Sequence, residues 1–305
     1  MKAITATPPG QAAPPGQAAR PGANRGGWPY VAWAVLISIL ILVLTLLAFW
    51  QESERDRERA VVTTQNLSQL LAKEVAYLLN RTDHLLRAAA FYFHDAQQHG
   101  GIDPARFTEY LEKRKSLLPE LLNLRVLDET GELRYGSGDW VVVNAADRAY
   151  FARARDDPTA DLIFEGPLLA RAAQRWSLIL ARRLSHPDGR FAGVVLGVLP
   201  IEAFEAILSQ LDLGRGGTAA LRTADLLQVT RYPPVEGADK GVGNRLVSQE
   251  LQALITTQPQ GATYATTSPL DQVRRTYSYR QVDDYPFILL VGHATSDFLV
   301  HWRKN

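Results

Sequence analysis

The sequence predicts an α+β protein: an N-terminal transmembrane helix, a long stalk helix, then two tandem modules with five-stranded antiparallel sheets. Three observations carry that expectation. The run from Tyr30 to Trp50, "YVAWAVLISILILVLTLLAFW", holds no charge in 21 residues. Residues 52 to 97 contain no Gly or Pro and repeat apolar residues at helical spacing. Beyond Leu121 the order hairpin, helix, three strands occurs twice.

The first element is the membrane span. At 1.5 Å per residue the run from Tyr30 to Trp50 can cross a hydrocarbon core of ~30 Å. Trp28, Tyr30 and Trp33 at one end and Phe49 and Trp50 at the other match interfacial aromatic belts. A cleaved secretory signal fits less well, because the run exceeds a usual h-region and "LAFWQE" offers no small-x-small site. The leader carries Lys2, Arg20 and Arg25 without an acid, while "QESERDRERA" on the far flank is mixed. The positive-inside rule then keeps the N-terminus in the cytoplasm and places the rest of the chain outside.

The expected segments are a disordered Pro/Gly-rich cytoplasmic tail over 1–29, the transmembrane helix over 30–50, a long helix over 51–100, and modules over 101–205 and 206–305. In the long helix Leu67, Leu70, Leu71, Val75, Leu78, Leu79, Leu85, Leu86 and Ala89 form a one-faced stripe. That stripe packs either on its own domain, on a twin chain, or on both. Asp103 as N-cap and Pro104 at the first turn open a shorter helix through Lys115. "LLNLRVLDETGELRYGSG" reads as strand, turn and strand. A short helix over "DRAYFARARDD" and strands "DLIFEGPLL", "QRWSLILARRL" and "RFAGVVLGVL" complete the first round. After the helix "PIEAFEAILSQL", the second round has a hairpin around Ala224-Asp225, a helix over 244–257, and strands "GATYATT", "VRRTYSYRQV" and "FILLVGHA".

Charge and composition exclude several classes. Lys plus Arg is 33 against 32 for Asp plus Glu, so no field points to nucleic acid. The absence of cysteine removes disulfide scaffolds, thiolate metal sites and thiol nucleophiles. The histidines, His84, His94, His99, His186, His293 and His301, form no close-spaced metal motif. There is no G-x-S-x-G, Walker loop or dinucleotide fingerprint. The chain is therefore expected to be neither an enzyme nor cofactor-dependent.

The candidate site centres on Asp147, Arg148, Tyr150 and Phe151, two rings set among charges. Arg148 can present a forked pair of donors to a carboxylate or phosphate, with the rings as walls. Alternatively, Tyr150 and Phe151 anchor the short helix to the sheet while Arg148 pairs with Asp147 or Glu165. In "RWSLILARRL", alternation puts Trp176, Leu178, Leu180 and Arg182 on one face and Arg175, Ser177, Ile179, Ala181 and Arg183 on the other. Trp176 and Arg182 thus either address one cavity or leave an arginine in solvent at the strand end.

These residues resemble the double Cache (tandem PAS-like) extracytoplasmic sensor region of bacterial membrane-bound diguanylate cyclases and sensor histidine kinases. The resemblance rests on Asp147, Arg148, Tyr150 and Phe151, Gly166-Pro167, Arg175-Trp176-Ser177, Arg182-Arg183, "PDGRFAGVV" and "LDLGRGGTAAL", within residues 52–305. It implies PAS-like modules, one distal from and one proximal to the membrane, on a periplasmic helix, with the distal pocket holding the signal. Ligand-binding residues implied are Asp147, Arg148, Tyr150, Phe151, Arg175, Trp176 and Arg182. Ala149 stands where an acid is expected, and "LLARAAQ" departs from the polar Gly-containing connection of the family. The spacing of the amino-acid-binding subgroup is missing, so that ligand is not implied.

The function expected is a small-molecule sensor in the bacterial inner membrane, single-pass and homodimeric. In the family a second span and an output domain follow, whereas this sequence stops at "HWRKN". The expectation is a sensor lacking its own output, served by a separately encoded one. A membrane-tethered periplasmic binding protein and a ligand-independent dimerisation module are the alternatives.

Overall fold

A computed structural model describes residues 28–138, 144–171, 174–237 and 240–294, with backbone alone for 28–32 and 48–57. Most of the expected tail, residues 1–27, and residues 295–305 lie outside the described residues. Helix α1 (Trp28–Gln98) runs without a break from the apolar segment into the stalk. The chain divides at Arg55 into two units, each taken separately. In the first unit, the described side chains from Trp33 to Leu47 are exposed and largely apolar. Among the described residues, no helix is long and apolar enough to cross a membrane.

In the second unit, the periodic stripe is buried. Leu71, Val75, Leu79, Leu86 and Ala89 are at most 2% exposed, and the expected grouping is corrected only at Leu70, which is 46% exposed. They form a single core with strand residues of both modules, from Leu124 and Leu180 to Leu221 and Leu289. The stripe therefore packs on the chain's own sheets. Asp103 caps α2 (Pro104–Ser116) by accepting from the Ala105 and Arg106 N–H groups.

The first sheet contains β1 (Asn123–Leu127), β2 (Leu133–Gly136), β3 (Leu162–Ala170), β4 (Arg175–Ser185) and β5 (Phe191–Pro200), and helix α3 (Ala149–Asp156) precedes β3. Its strand order is β2-β1-β5-β4-β3, antiparallel throughout. Gly193 is needed where β5 crosses the end of β1: its φ is +131°, and a Cβ would lie 2.0 Å from the Leu127 carbonyl oxygen. Helix α4 (Ile201–Ser209) leads to the second sheet, made of β6 (Thr218–Thr223), β7 (Gln228–Tyr232), β8 (Gly261–Thr267), β9 (Arg274–Gln281) and β10 (Phe287–Ala294), with α5 (Gln249–Thr257) before β8. Its order, β7-β6-β10-β9-β8, repeats the first. The element-order duplication read from the sequence is thus a duplication of topology.

One boundary moves. The helix expected over 244–257 starts at Gln249, because the Ser248 hydroxyl caps it by accepting from Leu251 N–H. The preceding Asn244 and Leu246 carbonyls instead accept from Arg222. That loop is fixed by an arginine rather than by helical hydrogen bonds.

Each sheet turns one face to α1 and covers the other with its own short helix. On the first sheet, Leu178 and Leu180 face α1, while Ile179 and Ala181 join Phe151 and Ala154 of α3. On the second, Leu289 and Val291 face α1, and Ile288 and Leu290 pack with Leu251 of α5. Polar contacts pin α1 along its length: Thr64 to Ser278 at 2.7 Å and Tyr285 to Asn80 at 2.7 Å in the second module, Arg182 to Asp83 at 2.5 Å in the first. Arg182 also donates to Asp161, the residue before β3. Around this junction a cleft of about 840 Å³ opens between the modules, walled in part by Asp83, Arg182, Phe164 and Tyr285.

A second ionic knot closes the sheet of the second module. Asp271 accepts from Arg275 at 2.8 Å on both oxygens and from Arg231 at 2.5 Å. Burial pushes the Asp271 carboxyl up, but hydrogen bonds from Arg275 and Ser268 and the charges of Arg275 and Arg231 outweigh it and hold it well below its ordinary 3.8.

Two expected outcomes follow from these knots. Replacing Asp83 by Ala leaves the Arg182 guanidinium buried against the exposed Asp161 alone and should cost about 3 kcal/mol in urea unfolding, with Asp83→Asn recovering part of it. Because the folded Asp271 carboxyl titrates below its unfolded value of 3.8, its stabilisation is complete above that pH and is lost as pH falls beneath it. Unfolding midpoints between pH 5 and 2 should fall, and Asp271→Asn should flatten that slope.

Candidate ligand pocket

The stretch Asp147 to Asp157 becomes α3 because a carboxylate from elsewhere caps it. Glu165 of β3 accepts from the Tyr150 N–H in the first turn, where the helix dipole favours a negative charge. Phe151 is 1% exposed and meets Phe191 edge-on at 5.4 Å between ring centres, so it anchors α3 to the sheet. Tyr150, 7% exposed, points to the other side of the helix start.

Between α3 and the sheet lies a cavity of about 70 Å³. Leu127, Ile179, Leu196 and Val198 make its apolar floor, and Asn123, Arg125, Arg148, Tyr150 and Arg171 bring polar atoms to it. Arg148 is half-buried, with one Nη donating to the Leu169 carbonyl at 3.4 Å. Arg171 binds Asp147 through both nitrogens and also donates to the Asn144 carbonyl at 2.9 Å. That pairing, mainly the Arg171 hydrogen bond, holds the exposed Asp147 carboxyl below the usual range. Burial, then the Glu165 charge, pushes the Tyr150 phenol well above its ordinary value, so it stays protonated at neutral pH. A protonated phenol and several guanidinium groups over an apolar floor form a site for a small anionic group with an aliphatic body.

The structure brings together only part of the expected residue set. Arg148 and Tyr150 line the cavity, and Asp147 stands behind it as the partner of Arg171. Phe151 is core. Trp176 and Arg182 do share a face, as the alternation predicts, but that face packs against α1. Arg182 is spent on Asp83 and Asp161, and Arg175 pairs with Glu202 at 3.2 Å on the surface. Arg148 pairs with neither Asp147 nor Glu165, both of which have other partners.

Arg125 and Arg171 complete the cavity without having been singled out from the sequence. Arg125 was visible as a charge within the strand "NLRVL", on the side opposite Leu124 and Val126. Arg171 sits in the connection "LLARAAQ", and only its pairing with Asp147, 24 residues earlier, marks its place.

Comparison with known proteins supports the resemblance. Residues 201–292 match the dCache_1-like family model, that of a histidine kinase sensor domain. The extracellular domain of rpHK1S-Z16 superposes with a TM-score of 0.68 at 26% identity, over 79% of this chain and 97% of its own. The sensory domain of the Campylobacter jejuni chemoreceptor Tlp3, with isoleucine bound, gives a TM-score of 0.59 at 11% identity over 81% and 97% of the two chains. The ligand-binding domain of the Pseudomonas fluorescens chemoreceptor CtaA, in complex with L-isoleucine, gives 0.60 at 17% over 81% and 98%. No curated protein matches the chain. These likenesses are to sensor domains of histidine kinases and chemoreceptors; a diguanylate cyclase output finds no support in them.

Removing the Glu165 cap tests the construction of this wall. Glu165→Ala should lower stability by about 1 kcal/mol, read by thermal unfolding, with the far-UV signal of the folded state little changed.

Proposed function

We propose that this double-Cache sensor input domain detects a small carboxylate-bearing molecule in the pocket between α3 and the first sheet. The carrying observation is the convergence of Arg148, Arg171 and the Tyr150 hydroxyl over an aliphatic floor. Arg148 and Arg171 would receive the carboxylate, Tyr150 would donate to it, and Leu127, Ile179 and Leu196 would take its apolar body. Aliphatic carboxylic acids are the first candidates, since no Asp or Glu among the described residues lines the pocket to meet an ammonium group; isoleucine, bound in the Tlp3 domain, and L-isoleucine, bound in the CtaA domain, are the comparison ligands. The first module, residues 101–205, is read as membrane-distal and the second, 206–305, as proximal.

Anchorage in the bacterial inner membrane by Tyr30 to Trp50, with the modules in the periplasm, is supported by the uncharged run and by the exposed apolar side chains from Trp33 to Leu47. A second copy would pair along α1, which leaves Leu70, Tyr77 and Phe91, seven or fourteen residues apart, exposed on the second unit. Ligand would shift the population between two arrangements of that helix pair, and a kinase- or chemoreceptor-type output would read the shift.

Thermal unfolding of the full chain with isoleucine, alanine, organic acids and amines tests this reading. A ligand at 100 times its Kd should stabilise by about 2.7 kcal/mol, and Arg148→Ala should abolish the part of the shift due to this pocket while leaving the unliganded melting temperature nearly unchanged. A broad panel that moves nothing would favour a ligand-independent dimerisation module instead.

A further inference from the structure

The second module carries a cavity of about 50 Å³ in the corresponding place, between α5 and the face of its sheet turned away from α1. Its charge is unusual. Arg222 on β6 is 3% exposed, yet among the described residues its guanidinium meets only neutral acceptors: the Leu226 carbonyl at 2.6 Å, the Leu246 carbonyl at 3.0 Å, the Gln228 amide oxygen at 3.1 Å and more distant oxygens of Asn244. Arg231 also lines the cavity and shares Asp271 with Arg275. Among the described residues, three buried guanidinium groups thus stand against one carboxylate, and neither it nor any other Asp or Glu lines the cavity; Glu250 lies outside, exposed, accepting from Thr266 at 3.0 Å.

The remaining lining completes a recognisable design. Ser248 and Tyr264 offer hydroxyls, while the Thr218 hydroxyl donates to the Tyr232 carbonyl at 3.1 Å, and Ala220, Leu251 and Leu290 offer an aliphatic wall. Tyr264 stacks on Tyr277 with ring centres 5.7 Å apart, and burial keeps its phenol protonated as a donor. The topological repeat adds a second argument. β6 occupies the place in its sheet that β1 occupies in the first, and Arg222 is the counterpart of Arg125 in facing away from α1. Burial of an uncompensated cation is costly, and an anion entering this cavity relieves that cost.

We propose that the second module is itself a binding site, independent of the first, for a small monocarboxylate with a short aliphatic tail and no ammonium group. The Arg222 and Arg231 charges attract the carboxylate, the Tyr264 hydroxyl orients it, and the wall at Ala220, Leu251 and Leu290 takes the tail. An ammonium group is excluded because it would meet guanidinium charge with no acid on the lining.

The test is thermal unfolding of the full chain with acetate, propanoate and butanoate, against propanamide and inorganic phosphate at matched ionic strength. Arg222→Gln would loosen the loop that Arg222 fixes, so the decisive variant is Ala220→Leu, which fills the cavity and keeps every arginine. The expected result is a saturable stabilisation by one or more monocarboxylates, none by propanamide or phosphate, retained in Arg148→Ala, which disables the first pocket, and weakened at least about tenfold in apparent Kd when Ala220→Leu is added to Arg148→Ala. Absence of a saturable shift, an equal shift with propanamide or phosphate, or undiminished affinity in the double variant Arg148→Ala with Ala220→Leu overturns the proposal. Loss in Arg148→Ala also overturns it, by assigning the binding to the first pocket.

Discussion

Both modules must bury the same helix. The buried stripe of α1 from Leu71 to Phe93 forms one core with strands from both sheets. Once each sheet has given one face to α1, the other face is all that remains for anything else. The short helices α3 and α5 close those faces incompletely, and the cavities lie where they fall short. The location of both pockets is therefore a consequence of how the core is shared.

Much of this was legible from period and order. A Gly- and Pro-free stretch with helical spacing announces α1, and the twofold succession of hairpin, helix and three strands announces two sheets of like topology. Alternation along β4 correctly groups Trp176 with Arg182. It has no means of saying which group faces the cavity, because that depends on where α1 lies. Arg182 is claimed by Asp83, 99 residues earlier, and no local pattern carries information over that distance. The start of α5 was misread for a similar reason: Arg222 takes the carbonyls that a longer helix would have used.

The two rings of "DRAYF" answer to different demands. Phe151 satisfies the core, and Tyr150 satisfies the cavity, one residue apart on a helix whose first turn is held by Glu165. Adjacent helical positions point about 100° apart, so a single short helix can both anchor itself and furnish a wall. The charges around them have separate duties as well. Asp147 holds Arg171 in place, and Arg183 ties the end of α3 to β4 through the Ala154 and Arg155 carbonyls.

Strand β4 separates the cavity from α1 by the thickness of one backbone. Ile179 looks into the cavity while its neighbours Leu178 and Leu180 rest in the core with α1, and Arg182 of the same strand grips Asp83. One strand thus has to satisfy two surfaces at once, and a group that filled the cavity beneath Ile179 would press on the same backbone that seats α1 through Leu178 and Leu180.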